Sequence, residues 1–201
     1  MYFRAKRIFD LILVIGSLPF WLMLTFLVYV AVWISEPTAP VIFIQQRTGK
    51  NGQRFKMFKF RTMVPNAEQL KSQLSAVTAN GELAGPLKMA NDPRITRLGR
   101  ILRKTSLDEL PQLFNVLRGE MSLVGPRPTS WGARSYKIWH TERLDVLPGI
   151  TGLWQVSGRG SEDFDDWLRW DIRYLERQSL TLDIVILYKT FAAVFRRRGA
   201  V

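Results

Sequence analysis

Leu11-Ile12-Leu13-Val14-Ile15-Gly16-Ser17-Leu18-Pro19-Phe20-Trp21-Leu22 opens a run that continues to Ile34 without one charged side chain. A helix needs ~20 apolar residues to cross the hydrocarbon core of a bilayer, so this run is long enough to enter a membrane. It is too long and too poorly terminated for a cleaved signal peptide. Arg4, Lys6 and Arg7 precede it, and Arg47, Lys50, Arg54, Lys56, Lys59 and Arg61 follow. Lys and Arg favour the cytoplasmic side, so a single span would force one of these flanks outward. A helix that enters and leaves through one face removes the conflict. Pro19 supplies the break, because proline deletes a backbone hydrogen bond and clashes with the preceding turn. The Ser17 hydroxyl is placed to occupy a carbonyl freed there. An ordinary spanning helix also tolerates proline; the basic flanks favour the re-entrant form.

The fold expected around this segment is α+β. Residues 1–35 form the membrane-embedded re-entrant helix, and residues 36–201 form a small, mostly helical cytoplasmic catalytic domain with a short β-hairpin and amphipathic surface helices. The 201 residues, 47% of them hydrophobic, suffice for one compact domain plus an appended segment. With 29 Lys and Arg against 17 Asp and Glu, the net charge of +12 points to nucleic acid, anionic lipid or phosphorylated small molecules. No cysteine is present, which excludes disulfides, thiolate catalysis and cysteine metal sites. The single His140 excludes a His-rich metal cluster and reads as a structural or surface residue.

Val41 to Gln46 and Arg54 to Phe60 read as strands, joined by Lys50-Asn51-Gly52-Gln53, whose Asn-Gly suits a type I′ turn. Asn66 to Ser75 reads as a short polar helix, and Val77 to Ala90, with its Asn-Gly and Gly-Pro breakers, as a mobile loop. Arg94, Arg97, Arg100, Arg103 and Lys104, complemented by Ile95, Leu98, Ile101 and Leu102, describe a cationic amphipathic helix. Leu182 to Arg198 repeats that pattern and suits either a membrane surface or the core.

The cationic helix delivers its charge to Ser106-Leu107-Asp108-Glu109-Leu110-Pro111-Gln112. Ser106 and Glu109 have capping-box spacing, and Pro111 suits a first helical turn. The carboxylates therefore open a helix, whose dipole favours negative charge and also attracts phosphate. By itself such a pair points to helix capping more than to chemistry, because acidic first turns are common. Downstream, Gly125-Pro126-Arg127-Pro128 fixes one guanidinium between two prolines, a form suited to phosphate. Pro148-Gly149-Ile150-Thr151-Gly152-Leu153 and Gly158-Arg159-Gly160 offer tight turns and a further arginine. Neither a Walker loop nor a Gly-x-Gly-x-x-Gly fingerprint occurs, so the common nucleotide folds have no support.

In this order the segments resemble the bacterial sugar transferase family, the monotopic phosphoglycosyl transferases that start exopolysaccharide, O-antigen and glycoprotein glycan assembly. The resemblance runs from Lys6-Arg7-Ile8-Phe9-Asp10 through Lys59-Phe60-Arg61-Thr62-Met63 and Asn91-Asp92-Pro93-Arg94-Ile95-Thr96 to the acidic stretch. It continues through Met121-Ser122-Leu123-Val124-Gly125-Pro126-Arg127-Pro128 and the Pro148 motif.

The resemblance implies transfer of a sugar phosphate from a UDP-sugar to polyprenyl (undecaprenyl) phosphate, with release of UMP, at the cytoplasmic face of the bacterial inner membrane. Asp108 would be the nucleophile that holds a covalent phosphosugar, and Glu109 the ligand of a Mg²⁺ ion on the diphosphate. Arg127, then Arg103 and Lys59, with Arg159 after them, would bind substrate phosphate. UDP-galactose and UDP-glucose are the donors the resemblance suggests. Inner-membrane lipid is a partner, nucleic acid is not, and homo-oligomerisation stays open. The family breaks its membrane helix at a Ser-Pro pair about one turn deeper than Ser17-Leu18-Pro19. Glu120 stands where Asp is common, and Leu147 where a basic residue is common. The chain reads as a minimal catalytic unit. The rival readings are a membrane-anchored basic module that binds anionic lipid or nucleic acid without catalysis, and a hydrolase using the same aspartate.

Overall fold

The computed structural model describes residues 2–67, 69–70, 92–132, 136, 138–157 and 164–195. The apolar run forms two helices, α1 (Tyr2–Gly16) and α2 (Leu18–Ser35), broken at Ser17. The break is satisfied locally, as expected for Ser17: its hydroxyl donates to the Leu13 carbonyl at 2.6 Å. The Trp21 indole donates to the Val14 carbonyl at 2.8 Å. Side chains at the break thus bond the Leu13 and Val14 carbonyls of the last α1 turn.

Each half of the broken helix packs on the rest of the chain with one face. Val14 and Trp21 join Met57, Val116 and Met121 in one apolar cluster. Val28 and Val32 join Val41, Phe60 and Leu102 in a second. The other side of α2 stays apolar and uncovered, with Phe20 74% and Ile34 67% exposed. Among the described residues α2 is the one helix long and apolar enough to cross a membrane.

The hairpin forms as its turn demands. Strands β1 (Ile42–Thr48) and β2 (Arg54–Phe60) pair antiparallel, with Thr48 opposite Arg54 and Ile42 opposite Phe60. Asn51 and Gly52 both take positive φ, 56° and 73°, which a type I′ turn requires. The register carries Lys59 to the far end of β2, opposite Phe43.

Helix α3 (Arg97–Thr105) is the cationic helix, capped by the Thr96 side chain, which accepts from the Gly99 N–H at 2.9 Å. Arg94 lies before it and pairs with Asp92 at 2.6 Å. A short helix, α4 (Gln112–Arg118), follows the acidic pair. Then β3 (Ser122–Val124) and β4 (Gly149–Thr151) pair in parallel. That pair was not legible as strands, since both segments read as glycine and proline turns. Its glycines permit backbone to lie on backbone: a Cβ at Gly149 would stand 2.1 Å from the Gly125 nitrogen.

Helices α5 (Leu153–Ser157), α6 (Phe164–Arg177) and α7 (Leu180–Phe195) complete the described chain. Helix α7 buries Ile186 beside Val124 and Tyr174, while Ile184, Tyr188 and Phe191 stay exposed. Its apolar face therefore divides between the core and the surface. His140 is buried, with Nε2 3.3 Å from Asp165, in keeping with a structural role. The Val77 to Ala90 loop, most of the Asn66 to Ser75 stretch and Arg196 to Arg198 lie outside the described residues.

Candidate active site

The acidic pair sits where α3 is stopped. Ser106 adopts a left-handed backbone, φ 58° and ψ 18°, and its N–H returns to the Arg103 carbonyl at 3.2 Å. The chain then makes a single 3₁₀ turn, Leu107–Glu109. Leu107 and Leu110 pack against the Phe60 and Leu102 cluster and hold that turn down.

This corrects the capping-box reading. The Ser106 side chain caps nothing here, and α4 begins only at Gln112, with Pro111 as its N-cap residue. A left-handed Ser106 serves the end of α3, so it is unavailable to open the next helix. A seven-residue helix that starts beyond the pair supplies little dipole. Burial and neighbouring side-chain charges govern these carboxylates instead.

Glu109 is held from two directions. Its Oε1 accepts from Lys59 Nζ at 3.0 Å and from Arg127 Nη2 at 2.8 Å. Burial alone would raise its pKa, but Arg127 and Lys59 overcome that and take it down to about 2. Asp108 makes no side-chain hydrogen bond or ion pair among the described residues. Burial, and then the charge of Glu109, push its carboxyl up to about 6 against the pull of Lys59, Arg103 and Arg127. At pH 7 roughly nine-tenths of Asp108 is therefore still ionised. One carboxylate is tied down and the other is left open, in a field of cations.

Each cation is set by a distinct element. Lys59 is carried by β2, which is joined to α4 through fully buried Asn115: its side-chain oxygen accepts from the Phe58 N–H at 3.1 Å, and its amide donates to the Lys56 carbonyl at 2.8 Å. Glu120, read above as a departure from the family, accepts from the same amide at 2.6 Å. Arg103 donates its Nε to the Thr62 hydroxyl at 2.9 Å. That contact needs Gly99, where a Cβ would stand 2.1 Å from the Thr62 carbonyl oxygen. Arg127 leaves the end of β3, and its backbone carbonyl accepts from Arg143, which pairs with Asp171 at 2.7 Å. Burial pushes Asp171 up to about 6 in spite of that partner.

The structure thus brings together Asp108, Glu109, Lys59, Arg103 and Arg127. Arg159 lies outside the described residues. Sequence reasoning missed Thr62, Asn115, Arg143 and Asp171, since each acts through a partner distant along the chain.

Among the described residues no three His, Asp or Glu side chains form a metal cluster. Both hydrogen bonds to Glu109 fall on Oε1, while Oε2 receives none from the described residues and is not enclosed. Mg²⁺ commonly takes one or two carboxylates and completes its shell with water and substrate phosphate, so this donor set fits it.

A sequence profile for the family described as bacterial sugar transferase matches residues 1–197. The undecaprenyl-phosphate galactose phosphotransferase of Salmonella typhimurium is 44% identical, over 97% of this chain and 41% of that protein. The galactosyl transferase CpsE of Streptococcus agalactiae is 42% identical, over 98% of this chain and 43% of that protein. The exopolysaccharide production protein ExoY of Rhizobium meliloti is 38% identical, over 98% of this chain and 88% of that protein. The chain spans about two fifths of the length of the first two relatives and most of the third.

Proposed function

Because the chain belongs to the bacterial sugar transferase family, we propose that it moves a sugar 1-phosphate from a UDP-sugar to undecaprenyl phosphate and releases UMP. The reaction would start exopolysaccharide, O-antigen or related glycan assembly at the cytoplasmic face of the inner membrane. The observation that carries this reading is the contrast within the acidic pair. Glu109 is neutralised by Lys59 and Arg127, whereas the Asp108 carboxylate has no hydrogen-bond partner among the described residues.

In the first step an Asp108 oxygen attacks the sugar-bearing phosphorus. A P–O bond forms to the carboxylate, the bond to the bridging oxygen breaks, and UMP leaves with that electron pair. In the second step an oxygen of the lipid phosphate attacks the same phosphorus, the acyl phosphate bond breaks, and Asp108 returns as a carboxylate. Arg127, Lys59 and Arg103 offer fixed positive charge to the phosphate oxygens, which gain charge as the bridging bond opens. Glu109 keeps Arg127 and Lys59 oriented and would hold Mg²⁺. When bound, that ion supplies charge neutralisation on the diphosphate.

The packing of the broken helix supports the re-entrant topology. Arg7 in α1 donates to the Val116 and Leu117 carbonyls at 2.6 and 3.0 Å, while Val28 and Val32 in α2 pack against Val41 and Phe60. Both ends thus rest on one body of protein, which a straight span would not allow.

The experiment is UMP release by purified, detergent-solubilised chain with Mg²⁺, across a panel of UDP-sugars, with and without polyprenyl phosphate. Lipid-dependent release from one donor is expected, and it should vanish in Asp108→Asn. Without lipid, UMP should stop at about one equivalent per chain; continued lipid-independent turnover would instead indicate hydrolysis, and silence of a folded chain across the panel would overturn the reading for UDP-sugars.

A further inference from the structure

Arg47 lies on β1, in the stretch that reads from sequence only as a basic flank of the membrane segment. Its guanidinium donates to Gln45 Oε1 at 3.1 Å from Nε and 2.7 Å from Nη2. Its Nη1 donates to the Pro128 carbonyl at 3.2 Å. All these acceptors are neutral oxygens, and among the described residues no carboxylate pairs with Arg47.

Pro128 follows Arg127 directly, and the Thr48 N–H bonds the Thr129 carbonyl at 2.9 Å. The hairpin and the proline-flanked turn are therefore stitched together at Arg47. Burial, and then the adjacent Arg127 guanidinium, pull Arg47 down to about 10, with Glu109 attracting it more weakly. Arg47 thus lies within electrostatic reach of Glu109, which is already shared by Lys59 and Arg127. A partly desolvated guanidinium held beside another, with no counter-ion of its own, is stabilised by an added anion. The planar fork suits phosphate oxygens.

We propose that Arg47 is the second guanidinium of a phosphate clamp, acting with Arg127 on a phosphate monoester at the Pro128 end of the site. The inference rests on the transferase reading, in which two such groups arrive in turn: the phosphate of the departing UMP and the phosphate of the lipid acceptor. Arg47 then serves either or both, and its bonds to Gln45 and Pro128 preset the fork before the anion arrives.

The test uses the whole chain in detergent, with Arg47→Gln and Arg47→Lys beside wild type. UMP affinity is measured by calorimetry and the KM for polyprenyl phosphate by turnover. Arg47→Gln should weaken one or both by about tenfold or more, as loss of a charge-assisted contact does. The difference should shrink between about 50 and 500 mM salt, and Arg47→Lys should recover part of it. An effect on UMP alone assigns the nucleotide phosphate, an effect on the lipid alone assigns the acceptor, and an effect on both assigns a shared subsite. Arg47→Gln matching wild type for both ligands overturns the proposal. So does a salt-independent loss that tracks a fall in unfolding temperature and is not recovered by Lys, which would leave Arg47 as a structural tie. Failure of the transferase reading shows separately, as wild type releasing no UMP from any donor, while the UMP titrations still report on Arg47.

Discussion

Arg127 and Glu109 meet at 2.8 Å through Oε1, the same oxygen that accepts from Lys59 at 3.0 Å. One carboxylate oxygen thereby holds two cations, one from β2 and one from the proline-flanked turn after β3. Glu109→Gln removes the charge that both cations need. We expect turnover to fall by about a hundredfold or more, as when a preorganised electrostatic contact is lost. Stability should fall by about 1–3 kcal/mol, because both cations lose a partner in a largely enclosed site. Turnover and thermal unfolding of the same preparation check this. In acid the wild-type contribution of Glu109 follows its depressed pKa: it is present above pH ~4.5 and lost as pH falls towards 2.

Asp108 has the opposite sign. Its pKa is raised to about 6, so the folded state is penalised as pH rises through that value, and the penalty is absent below the ordinary value of 3.8. Asp108→Asn should therefore be inactive yet more stable than wild type by about 1–2 kcal/mol at pH 7, after discounting for partial solvent access. That advantage should close between pH ~6 and ~4. Unfolding midpoints across pH read it, and an Asn variant no more stable than wild type at pH 7 would contradict it.

The same pKa sets the rate. As the proposed nucleophile, Asp108 must be ionised, so kcat/KM for the sugar donor should drop tenfold per pH unit below about 6 and level off above it. A plateau that persists to pH 4.5 would assign the nucleophile elsewhere.

Gly99→Ala puts a methyl group 2.1 Å from the Thr62 carbonyl oxygen, so α3 must shift. We expect about 1–3 kcal/mol of destabilisation, typical of overpacking. The Arg103 contact to Thr62 moves with α3, and activity should fall further than stability alone explains. Comparison with Thr62→Val, which removes the acceptor and leaves α3 in place, separates the two effects.

Because the chain holds no cysteine, topology can be read with single cysteines. Arg4→Cys and Thr38→Cys, at exposed positions on either side of the broken helix, should both react with a membrane-impermeant thiol reagent only from the cytoplasmic side. Labelling from opposite sides would establish a span.

The sequence by itself determined what depends on neighbours along the chain. The apolar run, its break at Ser17 and Pro19, the Asn51-Gly52 turn and the cationic helix follow from local rules of hydropathy, proline geometry and positive φ. The acidic pair and Arg127 were legible as candidates through short motifs in order. Tertiary structure decided the rest, because burial and Coulomb interactions act between residues far apart in sequence. Asp108 is raised rather than stabilised as an anion, since it is desolvated beside Glu109, a consequence of packing that no local dipole argument captures. The parallel pair β3 and β4 exists only because Gly125 and Gly149 meet backbone to backbone. Ser106 spends its left-handed backbone on ending α3, which dissolved the capping box. Arg47, Thr62, Asn115 and the Arg143 to Asp171 pair gain their roles from contacts that folding creates.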